Sequence, residues 1–572
     1  MSAQGVGDYT DERTALLSAQ QGLGHKYTRR LSDQGDDLRR TISLASTVQN
    51  VYRVPWKQNI VLLLAVFLVN SDSAILMSIF RHIAQEFDAL PSSSWIINSY
   101  LVGLLVSQPL YGKLSDIFGR KALLLIAYSF YCVGGLLGGL GVSFWTVLIG
   151  RAIAGIGNAG ITVLISTLIV DLVPLEDVAL WRGFVYAVNQ IGRAAGPSLG
   201  GLITDNWNWR WALLYPVPLN VLCLTFIWWR MSFPPVNDDN IDPSEQGETW
   251  SKLRRVDMSG AVSLAIANCS LLLFLDEAQR GMDVAKHVTT IVPGILWISS
   301  FGVFLLVEAF WAKEPIFPLH LMAKRNVFSS YAIQLLQTAA QMALFTSVPL
   351  YFRITNGDSH TSIAIRLLFI TSGTILGGLI SGFSIKRSRK YRLIIWVSIA
   401  FSNFSFLAIF LRWRGHTGWL ETMYGFPVGL GFGVSLSAAY IALTARLDSS
   451  TVAVSTSGFY LSLNLGSLVG VSVASLLIQS SVRQQLRETL RDFPNRDQLM
   501  HDILSNLDII DEVSPKLRAI IVEAYNNSLI HVWVFALLCG CLAFAVSLLM
   551  REAPLVIDQY PELKRARRRG AV

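Results

Sequence analysis

Charged residues are scarce in this chain of 572 residues. Asp, Glu, Lys and Arg together make up 15% of the sequence, whereas hydrophobic residues make up 52%. Ordinary soluble domains carry roughly 25% charged residues. With a mean hydropathy of +0.46, the composition excludes an ordinary soluble domain and indicates a protein that is in contact with lipid.

Cysteine and histidine are also sparse, with five and eight residues respectively. All five cysteines fall in apolar stretches, which favours packing over a disulfide framework or a metal site. The histidines lack the spacing of metal ligands, and no glycine-rich phosphate loop is present. The sequence therefore predicts no metal, no cofactor and no enzymatic site, and it argues against a protein driven by ATP hydrolysis.

Long apolar stretches, in contrast, are abundant. A helix needs about 20 mostly apolar residues to cross a bilayer, and fourteen stretches come close to this length. They lie near 59–80, 95–111, 122–144, 146–170, 183–203, 212–229, 257–275, 289–310, 327–352, 362–385, 392–411, 419–444, 452–479 and 529–550. We therefore expect an all-α integral membrane protein with fourteen transmembrane helices.

Positive charge is unevenly divided between the two sides of this predicted bundle. Seventeen Lys and Arg residues fall in the short loops of one side, Arg182 among them, whereas seven fall in those of the other side. Because cytoplasmic loops carry the excess of Lys and Arg, both termini are predicted to be cytoplasmic. This bias explains the net charge of +8 without a nucleic-acid partner, and the basic tails are candidates for contact with anionic lipid.

The turn between the second and third apolar stretches contains four charges in the ten residues GKLSDIFGRK, at 112–121. It resembles the G-x-L-[SA]-D-x-x-G-R-K signature of the major facilitator superfamily at every defining position. The resemblance implies a fold of two six-helix bundles, in which the two glycines would form a tight turn and the Asp would pair with the Arg or cap a helix. The residues of this expected conformational latch are Gly112, Asp116, Gly119, Arg120 and Lys121.

Asp72 lies near the centre of the first apolar stretch, in the segment FLVNSDSAI. An acidic residue there costs roughly 2.5–3.5 kcal/mol on insertion scales, so it is expected to face a cavity or a partner. A structural hydrogen bond to Asn70 or Ser73 is the alternative. The segment resembles the first-span motif of the family, although Arg81 stands where the family usually has Pro. The resemblance makes Asp72 the expected proton-coupling residue, with Arg151 as its electrostatic partner.

Arg151 begins the segment RAIAGIGNAG, which resembles the fourth-span motif R-x-x-x-G-x-G. Gly155 and Gly157 are small enough to let a neighbouring helix approach closely. The usual Gln of the family is Ala154 here. Alternatively, the Arg151 side chain could simply reach the membrane interface.

The fifth apolar stretch contains GRAAGPSLGG at 192–201, which resembles the antiporter motif found in exchangers. Its proline removes one helical hydrogen bond, and its glycines would let another helix rock against this one. Arg193 is unusual inside a span and could repel a cation, attract an anionic group or pair with Asp72. The motif residues are Gly192, Arg193, Gly196, Pro197, Gly200 and Gly201.

A degenerate copy of the charged turn, SGFSIKRSRK, occurs at 381–390 between two later apolar stretches. Because the family is built from repeated six-helix halves, this copy indicates two bundles with an inserted helix pair between them. The predicted organisation comprises a disordered cytoplasmic tail at 1–56, a bundle at 57–230, a cytoplasmic linker at 231–256, an inserted pair at 257–310, a second bundle at 311–550 with a long outer loop at 480–528, and a basic cytoplasmic tail at 551–572.

Further segments are similar to one branch of the family. They are DNWNWRW at 205–211, YPVP at 215–218, KEPIFP at 313–318 and PLYF at 349–352. The chain resembles, over about 57–550, the fourteen-helix drug:proton antiporter group and its fungal branch of vacuolar basic amino-acid transporters and related multidrug proteins. The resemblance implies a monomer that uses protons and a small-molecule substrate within membrane lipid.

The activity that this resemblance implies is proton-coupled antiport of small cationic or amphipathic molecules out of the cytosol, for example basic amino acids into the vacuole. One alternative is a plasma-membrane multidrug efflux pump whose pocket is lined by Trp95, Tyr100, Tyr186 and Phe459. Another is a nutrient sensor that transports nothing.

Two short motifs concern location and modification. Glu12 precedes Leu16 and Leu17 as in an acidic dileucine signal, which a sorting adaptor could read to direct the protein to the vacuole. Asn526 begins an Asn-Asn-Ser sequon for glycosylation, but it abuts the last apolar stretch. The sequence thus predicts a vacuolar membrane protein, with the plasma membrane as the alternative.

Overall fold

The structure is a computed structural model, and it describes residues 56–173, 175–230, 257–279, 288–311, 319–415, 417–445, 447, 449–489 and 515–552. The dileucine signal at Glu12, Leu16 and Leu17 lies outside these residues. So do the tail at 1–55, the linker at 231–256, residues 490–514 of the long outer loop and the end of the C-terminal tail.

Over the described residues the protein consists of helices without any strand, which confirms the all-α class. The first bundle contains α1 (Trp56–Glu86), α2 (Trp95–Phe118), α3 (Arg120–Leu140), α4 (Phe144–Leu172), α5 (Leu175–Asn206), α6 (Trp209–Leu214) and α7 (Pro216–Arg230). The inserted pair is α8 (Met258–Gln279) and α9 (Val288–Leu306), which continues into a π-helical turn at Val307–Trp311.

The second bundle repeats this pattern of long and short helices. It contains α10 (Leu319–Met322), α11 (Arg325–Asn356), α12 (His360–Ser388), α13 (Arg392–Arg412), α14 (Trp419–Thr422), α15 (Gly425–Thr444), α16 (Ser449–Thr489) and α17 (Pro515–Leu548). Each of the fourteen apolar stretches overlaps one of the helices named here.

Eleven membrane-crossing candidates, by length and apolar character, occur in the described part of the chain. Helices α2, α5 and α11 coincide with the second, fifth and ninth predicted spans but carry more polar residues, among them Gln108, Arg193 and Gln337. The protein therefore spans the membrane several times, and fourteen spans with both termini in the cytoplasm stay a prediction.

Exposed tryptophans lie at both ends of the helices, as in the aromatic belts of membrane proteins. At the ends of α4, α5 and α6 these are Trp145, Trp207 and Trp211, and at the opposite ends of α7 and α9 they are Trp228, Trp229 and Trp311. Helix α3 has 21 residues, which corresponds to about 30 Å and matches the hydrocarbon thickness of a bilayer.

The connection between α2 and α3 is made by Gly119 alone, with φ of 89°, a backbone conformation that glycine adopts without strain. Gly112 lies inside α2, which continues to Phe118, so the expectation that Gly112 helps to form the turn is wrong. A Cβ atom on Gly112 would be 2.6 Å from the Ser457 hydroxyl of α16. Gly112 is therefore a contact point between the two bundles.

The turn between α12 and α13 is built in the same way. Arg389, which aligns with Gly119 in the degenerate copy, also has positive φ, at 55°. A Cβ atom on Gly382, the counterpart of Gly112, would be 2.8 Å from the Ala179 carbonyl oxygen of α5. The two turns thus have related backbone conformations, and each glycine contacts the opposite bundle.

Candidate functional site: a buried ion pair and a closed interface

The centre of the first bundle contains a buried ion pair between α1 and α4. Arg151 Nη1 lies 3.1 Å from Oδ2 and 3.2 Å from Oδ1 of Asp72, and both side chains are nearly inaccessible, at 1% and 2% exposed. The Tyr131 hydroxyl of α3 donates a hydrogen bond of 2.9 Å to Asp72 Oδ2. Three helices therefore meet at a single carboxylate.

The alternative of a structural hydrogen bond to neighbouring polar side chains does not describe this carboxylate. Asn70 donates to the Val66 carbonyl oxygen, and Ser73 donates to the Asn70 carbonyl oxygen. Both side chains are thus occupied by the α1 backbone. Asp72 is held by groups from other helices.

The ion pair is incompletely satisfied. Within the described part of the chain, Arg151 Nε and Nη2 are buried without a hydrogen-bond partner, although the guanidinium lies 4.7 Å from the Tyr100 ring centroid. A buried pair with unpaired donors contributes little net stability, whereas removing one partner costs about 3–5 kcal/mol. Such a pair favours a functional role over a purely structural one.

The antiporter motif on α5 packs directly against the helix that carries Asp72. A Cβ atom on Gly192 would be 2.8 Å from the Phe67 carbonyl oxygen, and one on Gly196 would be 2.6 Å from that of Ser71. Gly200 continues this line of contact, whereas Gly201 faces open space. Only glycine permits this close approach of α5 to α1.

Arg193 lies on α5 beside these glycines and has an exposed side chain. It is close enough to Tyr100 for an electrostatic interaction, but it forms no hydrogen bond or ion pair with the residues that the structure describes. Pairing of Arg193 with Asp72, one of the three roles that the sequence left open, is absent because the Asp72 carboxylate is bound to Arg151.

The charged turn forms a compact network at one end of the first bundle, here called the Gly119 end. Arg120 forms ion pairs with Asp116 and, at 3.1 Å, with Asp171 of α4, and it donates to the Ser115 hydroxyl. Lys121 donates a hydrogen bond of 3.0 Å to the carbonyl oxygen of Trp228 at the end of α7. The turn therefore ties α2, α3, α4 and α7 together.

A second buried arginine lies between the two bundles. Arg182 on α5 is fully buried, and its guanidinium carbon lies 3.7 Å from the Tyr440 ring centroid of α15. Its Nη1 donates a hydrogen bond of 3.0 Å to the Tyr460 hydroxyl of α16, and its Nη2 donates a hydrogen bond to the Tyr186 hydroxyl. We call these four residues the tyrosine cage. The described part of the chain supplies no carboxylate to Arg182.

Hydrogen bonds to α4 complete the cage. The Ser166 hydroxyl lies 2.7 Å from that of Tyr460, and the Tyr440 hydroxyl donates to the Ser166 carbonyl oxygen at 3.2 Å. These contacts join the bundles on the side of the Gly119 end, where α5 begins.

The prediction that Arg182 lies in a loop is wrong, because α5 starts at Leu175. Its spacing from Tyr186 and Arg193, of four and eleven residues, is the signal that places all three on one helix face.

The aromatic residues proposed to line one permissive pocket are dispersed. Tyr100 contacts Arg151, while Tyr186 belongs to the cage and Phe459 packs against Tyr440 and Tyr460. Trp95 packs in a separate apolar cluster around Ile96 and Trp209. Tyr186 and Phe459 share one buried cluster, whereas Trp95 and Tyr100 lie elsewhere.

The sequon residue Asn526 lies inside α17 with a half-buried side chain, and Ser528 is fully buried and donates to the Ala524 carbonyl oxygen. This placement argues against glycosylation, which needs an accessible segment. Over the described residues, no group of three or more His, Cys, Asp or Glu side chains is arranged to hold a metal ion.

Helices of membrane-spanning length, arranged as two bundles with a buried ion pair inside the first, define a multi-span α-helical membrane protein. The sequence model of the Major Facilitator Superfamily matches residues 62–471, and the chain belongs to that superfamily.

Two Schizosaccharomyces pombe proteins are similar to this chain. The vacuolar membrane amino acid uptake transporter fnx2 is 28% identical over 500 residues, covering 86% of this chain and 84% of that protein. The multidrug resistance protein fnx1 is 27% identical over 491 residues, covering 84% and 88%.

The crystal structure of the human organic anion transporter MFSD10 has the same fold. It superposes with a TM-score of 0.54 at 13% sequence identity, covering 85% of this chain and all of that chain.

Proposed function

We propose that this transporter is a proton-coupled antiporter that moves small cationic or amphipathic molecules out of the cytosol, with basic amino acids entering the vacuole as the leading case. The observation that carries the proposal is the buried Asp72–Arg151 pair. An ionisable pair within a span is a candidate proton relay, and its Asp72 lies on α1, the helix against which the antiporter motif packs.

The mechanism follows from what a proton does to this carboxylate. A proton on Asp72 cancels its charge and removes its attraction to Arg151, leaving a guanidinium that needs new partners in a low-dielectric region. Helix α1 would shift, and α5 would follow through the contacts of Gly192 and Gly196. Because α5 also carries Arg182, the shift would reach the tyrosine cage that closes the Gly119 end.

Amino-acid transport and a vacuolar location are supported by the similarity to fnx2, whose name states both. Multidrug efflux at the plasma membrane is the second candidate, supported by the comparable similarity to fnx1. The two candidates share the coupling mechanism and differ in cargo and location.

The transport proposal is tested in sealed vesicles that contain the purified protein. A vesicle with an acidic lumen should accumulate cargo from a panel of basic amino acids and cationic drugs when the predicted cytoplasmic face is outward. A protonophore should stop the accumulation. Binding of an amino acid without any accumulation would support the nutrient-sensor alternative, and accumulation of drugs alone would support multidrug efflux.

The location is tested by replacing Leu16 and Leu17 with Ala in a fluorescently tagged chain. If an adaptor reads the dileucine signal, the tagged protein should move from the vacuolar membrane to the cell surface. Substitution of the nearby Leu23 by Ala serves as the control and should leave the location unchanged. Vacuolar fluorescence that persists in the double variant would contradict the sorting role.

A further inference from the structure

Arg193 presents a positive charge that nothing in the described part of the chain balances. Its side chain is exposed although it lies well inside α5, and an uncompensated arginine within a span is costly unless it faces a cavity or a partner. The direction in which it points therefore decides its role.

The spacing of α5 places Arg193 toward the second bundle. Residues four and seven positions apart share a helix face, so Arg182, Tyr186 and Arg193 form one line along α5. Arg182 contacts Tyr440 and Tyr460 of the second bundle, and Tyr186 packs in the same buried cluster as Tyr440. Arg193 lies about 16 Å from Arg182 along the same face. Arg193 therefore lies on the face of α5 that is turned toward the space between the bundles.

More positive than negative side chains lie around Tyr100. The charged side chains near its hydroxyl include Asp72, Arg151 and Arg193. The carboxylate and the first guanidinium neutralise each other in their buried pair. The net charge that this region presents to the space between the bundles is therefore that of Arg193.

We infer that Arg193 binds the carboxylate of the cargo, so that the transported class is small molecules that carry a carboxylate, such as amino acids, in preference to simple amines. A guanidinium binds a carboxylate through two parallel hydrogen bonds, and the cargo would supply the missing counter-charge when the space closes. Without it, closure would bury an unpaired cation. This inference rests on the proposed transport function and narrows its cargo.

The test compares amino acids with their decarboxylated counterparts: lysine with cadaverine, arginine with agmatine, and histidine with histamine. In vesicles, each amine should inhibit amino-acid uptake about ten- to a hundredfold more weakly than the amino acid does, because a hydrogen bond to a charged group is lost. The Arg193→Gln variant should lose this preference and Arg193→Lys should retain part of it. Arg81→Gln, which changes an exposed arginine near the far end of α1, should behave like the unmodified protein.

A second measurement separates binding from transport. Amino acids, but not the amines, should raise the melting temperature of the purified protein, and Arg193→Gln should abolish this effect while folding normally. Equal inhibition by amine and amino acid, or uptake limited to drugs without a carboxylate, would overturn the carboxylate role and leave antiport intact. If no cargo accumulates at all, antiport is wrong, and the melting-temperature comparison still decides the carboxylate site.

Discussion

The Asp72→Asn variant is expected to lose gradient-driven uptake entirely, falling to the level of vesicles without the protein. Asn keeps the shape of the side chain but cannot carry the proton or the negative charge. The exposed Asp88→Asn variant is a matched control, because it makes the same chemical change and Asn tolerates the positive φ of 52° at that position. Uptake under an imposed pH gradient is the measurement.

Loss of uptake in this variant could also follow from misfolding, since Arg151 would remain buried without its partner at a cost of about 3–5 kcal/mol. The double variant Asp72→Asn/Arg151→Gln removes both charges and should recover most of the thermal stability. It should still fail to couple uptake to the gradient. If Asp72→Asn retains gradient-driven uptake, the proton-coupling role of Asp72 is wrong.

The second large effect is expected at the tyrosine cage. Tyr460→Phe removes the hydroxyl that accepts from Arg182 and bonds to Ser166. A hydrogen bond to a charged group contributes about 1.5–3 kcal/mol, so the closed arrangement should become about ten- to a hundredfold less favoured. Tyr128→Phe is a matched control, because its hydroxyl is buried without a hydrogen-bond partner among the described residues.

The opening can be measured at Ser457, which lies against Gly112 at the same interface. A Ser457→Cys substitution in a background without the five natural cysteines provides a site for an impermeant thiol reagent applied from the Gly119 side. Its labelling should be faster with Tyr460→Phe and unchanged with Tyr128→Phe. Equal labelling rates in both variants would show that the cage does not hold the bundles together.

The features that the sequence revealed are those with local signals. Apolar length predicts the helices, and a carboxylate in the middle of an apolar stretch stands out because its insertion is costly. The family motif then named Arg151 as its partner, and the structure places the two side chains in contact. Tyr131 was missed, since a tyrosine in an apolar span has no comparable signature.

The closed interface could not be read from the sequence because it depends on distant pairings. Arg182 and Tyr460 are 278 positions apart, and neither residue reveals its partner by spacing or composition. The role of Gly112 was predicted wrongly for a related reason. A glycine beside a charged turn suggests a bend in the backbone, whereas Gly112 leaves room for the close approach of α16. Helix α5 begins before its apolar stretch, so its polar first turns, which carry Arg182, resembled a loop in the sequence.

The composition of the tyrosine cage has a consequence for how the transporter responds to its surroundings. Arginine and tyrosine are residue types whose ordinary pKa values lie well above the physiological pH range, and a buried contact between a cation and neutral hydroxyls is barely screened by dissolved ions. The strength of this closure should therefore be the same in a salty or an acidic compartment as in the cytosol. Acidity would then act on the protein through the Asp72 carboxylate. The contacts of the tyrosine cage would have the same strength in either of the two solutions that the membrane separates.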